Sequence, residues 1–209
     1  GSGTGAIAAW ENAERLAADG RFGENKMRIY VAQNVPFTLM YDSYKADSRD
    51  LLPLTAEESR RNAEVILAKV LSNRKPPYTL AGGLYDVLKA SNGDVFKVTN
   101  DEIVKMLLLF MKLEGVDLLP ASAAAAYSLV KAVQDGAVKK DDYIMLNITG
   151  GGLFNAWKQG FVIKEPDLEL GTELSAEEVV AAVSKLFPKA ERKEKRAQRK
   201  AEKAACKTK

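Results

Sequence analysis

Apolar residues recur every three or four places through the first twenty positions. In AIAAWENAERLAADG, Ile7, Trp10, Ala13 and Leu16 or Ala17 fall on one face, which predicts an amphipathic helix with Gly20 as its C-cap. MRIYVAQN follows as a short apolar run of the kind found in a buried parallel strand. Residues 36–54, PFTLMYDSYKADSRDLLPL, keep no steady period and are expected to form a long surface loop. Thr55 and Glu58 have the spacing of a capping box. They open a predicted helix through TAEESRRNAEVILAKVLSN, with Val65, Ile66 and Leu67 on its buried side.

RKPPYTLAGGLYDVLKASNG holds a proline pair, a glycine pair and a short helix, and DVFKVT reads as a strand. NDEIVKMLLLFMKLEG predicts a helix with Asn100 as cap, acids in its first turn and Gly115 at its end. Met106, Met111 and the leucines between them are expected in the core. VDLLP reads as a short strand, ASAAAAYSLVKAVQDG as a helix of small residues, and DDYIMLNITGGG as a strand running into a glycine triplet. Strand and helix alternate, which is the pattern of an α/β fold with a parallel sheet. The opening order of glycine loop, helix and strand is the second part of a βαβ unit. Its first strand is missing, so the chain is expected to begin inside a domain and to expose a strand edge prone to aggregation.

Composition narrows the chemistry. The absence of histidine rules out a Ser-His-Asp triad, a Cys-His dyad and histidine-bound zinc within these residues. The single cysteine, Cys206, allows no internal disulfide, so an inert thiol and a reducing cytoplasm are expected. No apolar run has the roughly 20 residues needed to span a bilayer. From Lys189 to Lys209 ten basic residues face three acidic ones, a net of +7, which leaves the rest of the chain at −4. The basic signal thus belongs to a tail. Residues 175–209 are expected to be a helical, partly disordered extension following a fold of residues 1–174. Such a tail could touch nucleic-acid phosphates, but it has no interleaved aromatics and no recognition motif, so a solvated extension is expected.

Two glycine loops carry the candidate chemistry. GSGTG at the head of a helix lets backbone amides approach an anion, with the helix dipole adding a favourable field. A Walker A loop would need Lys-Ser/Thr where Ala6-Ile7 stands. A dinucleotide fingerprint is partly met by Gly1, Gly3 and Ala6, but it needs an acid at the end of the next strand, where only Gln33 and Asn34 occur. A single phosphate needs the amides alone. The competing reading of Gly1-Ser2-Gly3 is a tag remnant. NITGGG, residues 147–152, sets Thr149 at the end of a predicted strand, where α/β folds bind ligands. A plain strand-to-helix turn is its competing reading.

GSGTGAIAAWE, EGVDLLPASAAAAYSLVKAVQDG and YIMLNITGGG resemble successive blocks of the fold-type II pyridoxal-phosphate enzymes, in the threonine synthase branch. PPYTLAGGLYDVLKASNG is most similar to the archaeal cysteate synthases of that branch. The resemblance runs from residue 1 to about residue 155. It implies a tryptophan synthase β-like, parallel-sheet architecture, incomplete here at the N-terminus. It implies that Gly1, Ser2, Gly3, Thr4 and Gly5 hold the phosphate of pyridoxal 5'-phosphate and that Thr149 hydrogen-bonds the pyridine nitrogen. A hydroxyl there, unlike a carboxylate, does not hold the nitrogen protonated, which favours β-replacement over transamination.

The implied reaction takes O-phospho-L-serine and sulfite to L-cysteate and phosphate, a step towards coenzyme M. The threonine synthase alternative takes O-phosphohomoserine and water to threonine and phosphate. Partners are then an anionic amino acid and sulfite, within a homo-oligomer and without nucleic acid or membrane. The family's Schiff-base lysine lies upstream of the glycine loop, and no lysine here matches it. Lys26, Lys45, Lys97 and Lys158 read as solvated surface, no catalytic residue is assigned, and the chain alone is expected to be inactive. Arg49, Arg60, Arg61 and Tyr78 are weaker candidates for an anionic substrate, the arginines competing with a solvated helix face, and Asn155 and Trp157 for a place near the site. Other classes remain open: a nucleotide-binding oxidoreductase domain, or a basic-tailed interaction module without catalysis.

Overall fold

The structure is a computed structural model and describes residues 1–162 and 164–187. The basic tail from Lys189, with Cys206, lies outside the described residues. The chain divides into two compact units, Gly1–Phe161 and Val162–Lys209. In the second unit the described helix is α8 (Ala176–Leu186), opened by a Ser175–Glu178 capping box.

The first unit begins with α1 (Thr4–Asp19), closed by Gly20 in the left-handed conformation with Trp10 as its buried anchor. Strand β1 (Tyr30–Asn34) follows and pairs in parallel with β2 (Asp94–Val98), Tyr30 opposite Asp94 and Asn34 opposite Val98. Between them lie α2 (Leu39–Lys45), α3 (Ala56–Val65), a single 3-10 turn (Lys69–Leu71) and α4 (Leu84–Ala90). After β2 come α5 (Asn100–Glu114), α6 (Pro120–Gln134) and the short α7 (Leu153–Lys158).

Period-two alternation in the strands sorts the core into layers. Val31 and Val95 join the cluster built on Trp10, Tyr78 and Leu84. Ala32 and Val98 join the opposite cluster, with Ile103, Met106, Ala123 and Ala124. Tyr30 and Phe96, on that same face, pack with Ala132 and Val138. Helices therefore cover both faces of the small sheet, and the alanines of α6 are what let its backbone lie close to it.

Several expectations change. The stretch 36–54 contains α2, whose Leu39, Met40 and Ser43 are buried. Thr38 Oγ1 donates to Asp42 Oδ2 at 2.7 Å, and Ser43 Oγ accepts from Leu52 N at 2.9 Å, so the returning chain is pinned to the helix. Helix α3 stops at Val65. Beyond it Ile66 and Ala68 are buried while Val65 and Leu67 are exposed, the alternation of extended chain rather than a helix face. The cap of α5 is Thr99, in a capping box with Glu102, and Asn100 is its first helical residue. Of the apolar run in α5, Met106 is buried but Leu108, Leu109 and Met111 are exposed, because four consecutive positions cannot share one helical face. VDLLP and DDYIMLNITGGG form no named strand; their one pairing is an isolated antiparallel bridge between Leu118 and Gly151.

Candidate functional site

Gly3 stands at φ 81°, in the left-handed region, and serves as the N-cap of α1. An added Cβ there would lie 2.7 Å from Cδ2 of Leu84, which is fully buried. Backbone conformation and packing thus both demand glycine at this position. Gly1 rests against the 3-10 turn, where a Cβ would sit 3.2 Å from the Val70 carbonyl oxygen, whereas Gly5 faces open space. The Ser2 and Thr4 hydroxyls are 3.0 Å apart, at the mouth of the helix.

Helix α1 starts with no side-chain cap and no acid in its first turn. Helices α3, α5 and α8 each open with a complete capping box and two acids. A helix that brings no anion of its own leaves its first amides and positive dipole end for an external one. A phosphate monoester fits this donor set of amides and two hydroxyls with no opposing carboxylate in the first turn. Beside it runs a shallow groove of about 280 Å³, with Thr4, Ile7 and Glu11 on one wall and Pro77 and Gly82 on the other.

Thr149 is exposed, and the glycines after it are fitted to the segment before α6. A Cβ on Gly150 would lie 2.8 Å from Leu119 Cδ1, and one on Gly152 would lie 1.6 Å from Asp117 Oδ2. Gly151 has open space instead. Gly150 N donates to Ser122 Oγ at 3.1 Å, and Phe154 N donates to Asp117 Oδ2 at 2.8 Å, which caps α7. The other Asp117 carboxylate oxygen is buried without a partner. The two loops meet a common layer: Gly1 touches Val70, and Leu71 shares an apolar cluster with Leu118 and Ile148. Among the described residues no hydrogen bond joins Thr149 to Gly1–Gly5.

The other candidates are accounted for locally. Asn34 Oδ1 accepts from Ala68 N at 2.9 Å, and Gln33 Oε1 accepts from Tyr41 N at 2.8 Å. Both are buried, so neither is placed as a ribose ligand at the strand end. Arg49 forms a two-pronged pair with Asp86, which also accepts from Gly82 N at 2.8 Å. That guanidinium holds the Asp86 carboxyl below its ordinary range. Tyr78 is fully buried and donates to the Ser48 carbonyl at 2.9 Å. Burial pushes its phenol far above the ordinary value, so it stays neutral. Arg60 and Arg61 are exposed on α3.

Lys26 pairs with Glu14, Lys45 with Asp94, and Lys97 lies 4.8 Å from the Tyr41 ring centre. Lys158 is exposed on α7, as is Trp157; Asn155 lies on the same helix. Among the described residues no cluster of His, Cys, Asp and Glu could hold a metal, and no helix is long and apolar enough to cross a membrane. Reading the sequence did not find Ser122 or Asp117. Nothing local to PASA or VDLL signals a partner roughly thirty residues away in the chain.

The sequence matches the family of pyridoxal-phosphate dependent enzymes over residues 1–150. It is 44% identical over 183 residues to the cysteate synthase of Methanosarcina mazei, covering 86% of this chain and 44% of that protein. It is also 44% identical over 186 residues to the cysteate synthase of Methanocella paludicola, covering 88% and 43% respectively. The chain spans less than half the length of these curated relatives.

Proposed function

Because the chain belongs to the pyridoxal-phosphate dependent enzymes, we propose that it supplies the cofactor-holding part of a cysteate synthase-like enzyme. The reaction takes O-phospho-L-serine and sulfite to L-cysteate and phosphate: a Cβ–O bond breaks and a Cβ–S bond forms. The observation that carries the reading is the opening of α1, with left-handed Gly3 seated on Leu84 and a first turn without an acid, where the Ser2 hydroxyl, 3.4 Å from Thr4 N, is the local acceptor.

In this reading the amides of the Gly1–Gly5 turn and the hydroxyls of Ser2 and Thr4 hold the cofactor phosphate. The Thr149 hydroxyl would be the partner of the pyridine nitrogen and would not keep it protonated. The cofactor supplies an electron sink for charge developing at the substrate Cα. The lysine that carries it comes from the region of the relatives that this chain does not span, so the chain alone is expected to be inactive. In the same reading residues 1–174 belong to the C-terminal part of a tryptophan synthase β-like catalytic fold. The enzyme works as a homo-oligomer in the cytoplasm on an anionic amino acid.

The test is made on the full-length protein. Cofactor binding is followed by absorbance, and phosphate release is followed with O-phosphoserine and sulfite. L-Cysteate as product supports the proposal. Threonine from O-phosphohomoserine and water, without reaction with sulfite, would replace it by the threonine synthase reading. No cofactor binding at all would overturn both.

A further inference from the structure

We propose that Ser122 is a positioning residue for Thr149, an inference that rests on Thr149 meeting the cofactor nitrogen. Ser122 is only 3% exposed and sits among the buried alanines of α6. A hydroxyl at such a place is costly unless it is hydrogen-bonded. It accepts from the Gly150 N–H, 3.1 Å away, and donates to the Gly150 carbonyl at 3.5 Å. That N–H belongs to the peptide group whose carbonyl carbon is that of Thr149. The bond therefore orients the plane of the Thr149–Gly150 peptide and, because the Thr149 Cα lies in that plane, the point from which the Thr149 side chain leaves the backbone.

The contacts around it act in the same sense. Leu119 N donates to the Gly150 carbonyl at 3.4 Å, and Leu118 bridges Gly151. Asp117 accepts from Phe154 N at 2.8 Å. The two glycines that flank Gly151 lie so close to Leu119 and Asp117 that any side chain would collide. The segment after Thr149 is thus held against residues 117–122, while Thr149 itself projects outward and exposed. An exposed hydroxyl on an otherwise irregular stretch has many positions open to it; the buried serine narrows them by anchoring the backbone from which that hydroxyl projects.

The experiment compares Ser122→Ala, Thr149→Ala, the double variant and Ser128→Ala in the full-length holoenzyme. Ser128 is a fitting control: it is also buried on α6, and its hydroxyl bonds only within the helix, to the Ala125 carbonyl at 2.6 Å. The readouts are the fluorescence of bound pyridoxal phosphate, its dissociation constant, and hydrogen exchange of the Gly150 amide. S122A is expected to speed Gly150 exchange, weaken cofactor binding about tenfold, the worth of one buried hydrogen bond, and shift the fluorescence as T149A does. The double variant should be no weaker than T149A, and S128A should match the parent. Faster exchange in S122A with parental fluorescence and affinity would make Ser122 merely structural and overturn the proposal. Parental fluorescence in T149A would overturn the reading of Thr149, and this inference with it.

Discussion

Asn34 at the end of β1 donates from Nδ2 to Oδ1 of Asn100, 3.1 Å away at the start of α5. Together they clasp the chain that leaves α3. Asn34 Oδ1 accepts from Ala68 N and Asn100 Oδ1 from Leu67 N, each at 2.9 Å, while Asn100 Nδ2 donates to the Val65 carbonyl at 2.9 Å. The clasp ends α3 and turns Ile66 and Ala68 into the core. It also places the 3-10 turn against which Gly1 rests.

Removing Asn34 leaves the Ala68 amide buried without its acceptor. Asn34→Ala should cost about 2–4 kcal/mol, measured by urea denaturation. Asn34→Asp should do no better, because a carboxylate cannot donate to Val98 O or to Asn100 Oδ1, both of which now accept from Nδ2. A loss under about 0.5 kcal/mol in both variants, the usual range for surface substitutions, would show that the clasp is dispensable.

Gly3 and Gly5 separate the turn's geometry from its helix propensity. Gly3→Ala carries both a left-handed φ and a close approach to Leu84, and should destabilise by about 1–3 kcal/mol while abolishing cofactor binding. Gly5→Ala meets open space inside a helix, and should leave binding intact and raise stability by up to about 1 kcal/mol. Thermal melts with and without pyridoxal phosphate read both effects.

Within the triplet, Gly152→Ala drives a Cβ into the Asp117 carboxylate and removes the cap of α7. A loss of about 2–4 kcal/mol is expected. Gly151→Ala meets nothing and should stay within about 0.5 kcal/mol of the parent. Equal losses at the two positions would contradict the packing described above.

Glu102 links stability to pH. Burial alone would raise its pKa, but the Lys131 ammonium, the Thr99 amide and the Thr99 hydroxyl together hold it below the ordinary value. The folded state therefore binds its proton less readily than the unfolded one. The stabilisation is fully present above the ordinary glutamate pKa of about 4.3 and is lost as pH falls from there through the lowered folded value. Glu102→Gln should flatten this acid limb in a plot of melting temperature against pH. At neutral pH it should cost at most about 1 kcal/mol, since Lys131 loses a 2.8 Å charged partner in a pair that solvent screens.

What could be read from the sequence alone is what local chemistry decides. Thr55 with Glu58 marks the start of α3, and Gly20 and Gly115 mark the ends of α1 and α5. Each works because a helix terminus is satisfied within a few residues of itself. The glycine turn before α1 was legible for the same reason.

The tertiary structure decided the rest. Residues 36–54 hold a helix because Leu39, Met40 and Ser43 find a core to enter, and no local period announces that. DDYIMLNITGGG has the composition of a strand but lies without a ladder in the described residues, because a strand exists only through its neighbour. Ser122, Asp117, Asn34 and Asn100 hold the segments around both glycine loops through partners distant in the chain. A lone serine or asparagine looks the same in sequence whether it faces water or is paired in the core. Only the folded chain brings its partner within hydrogen-bonding distance.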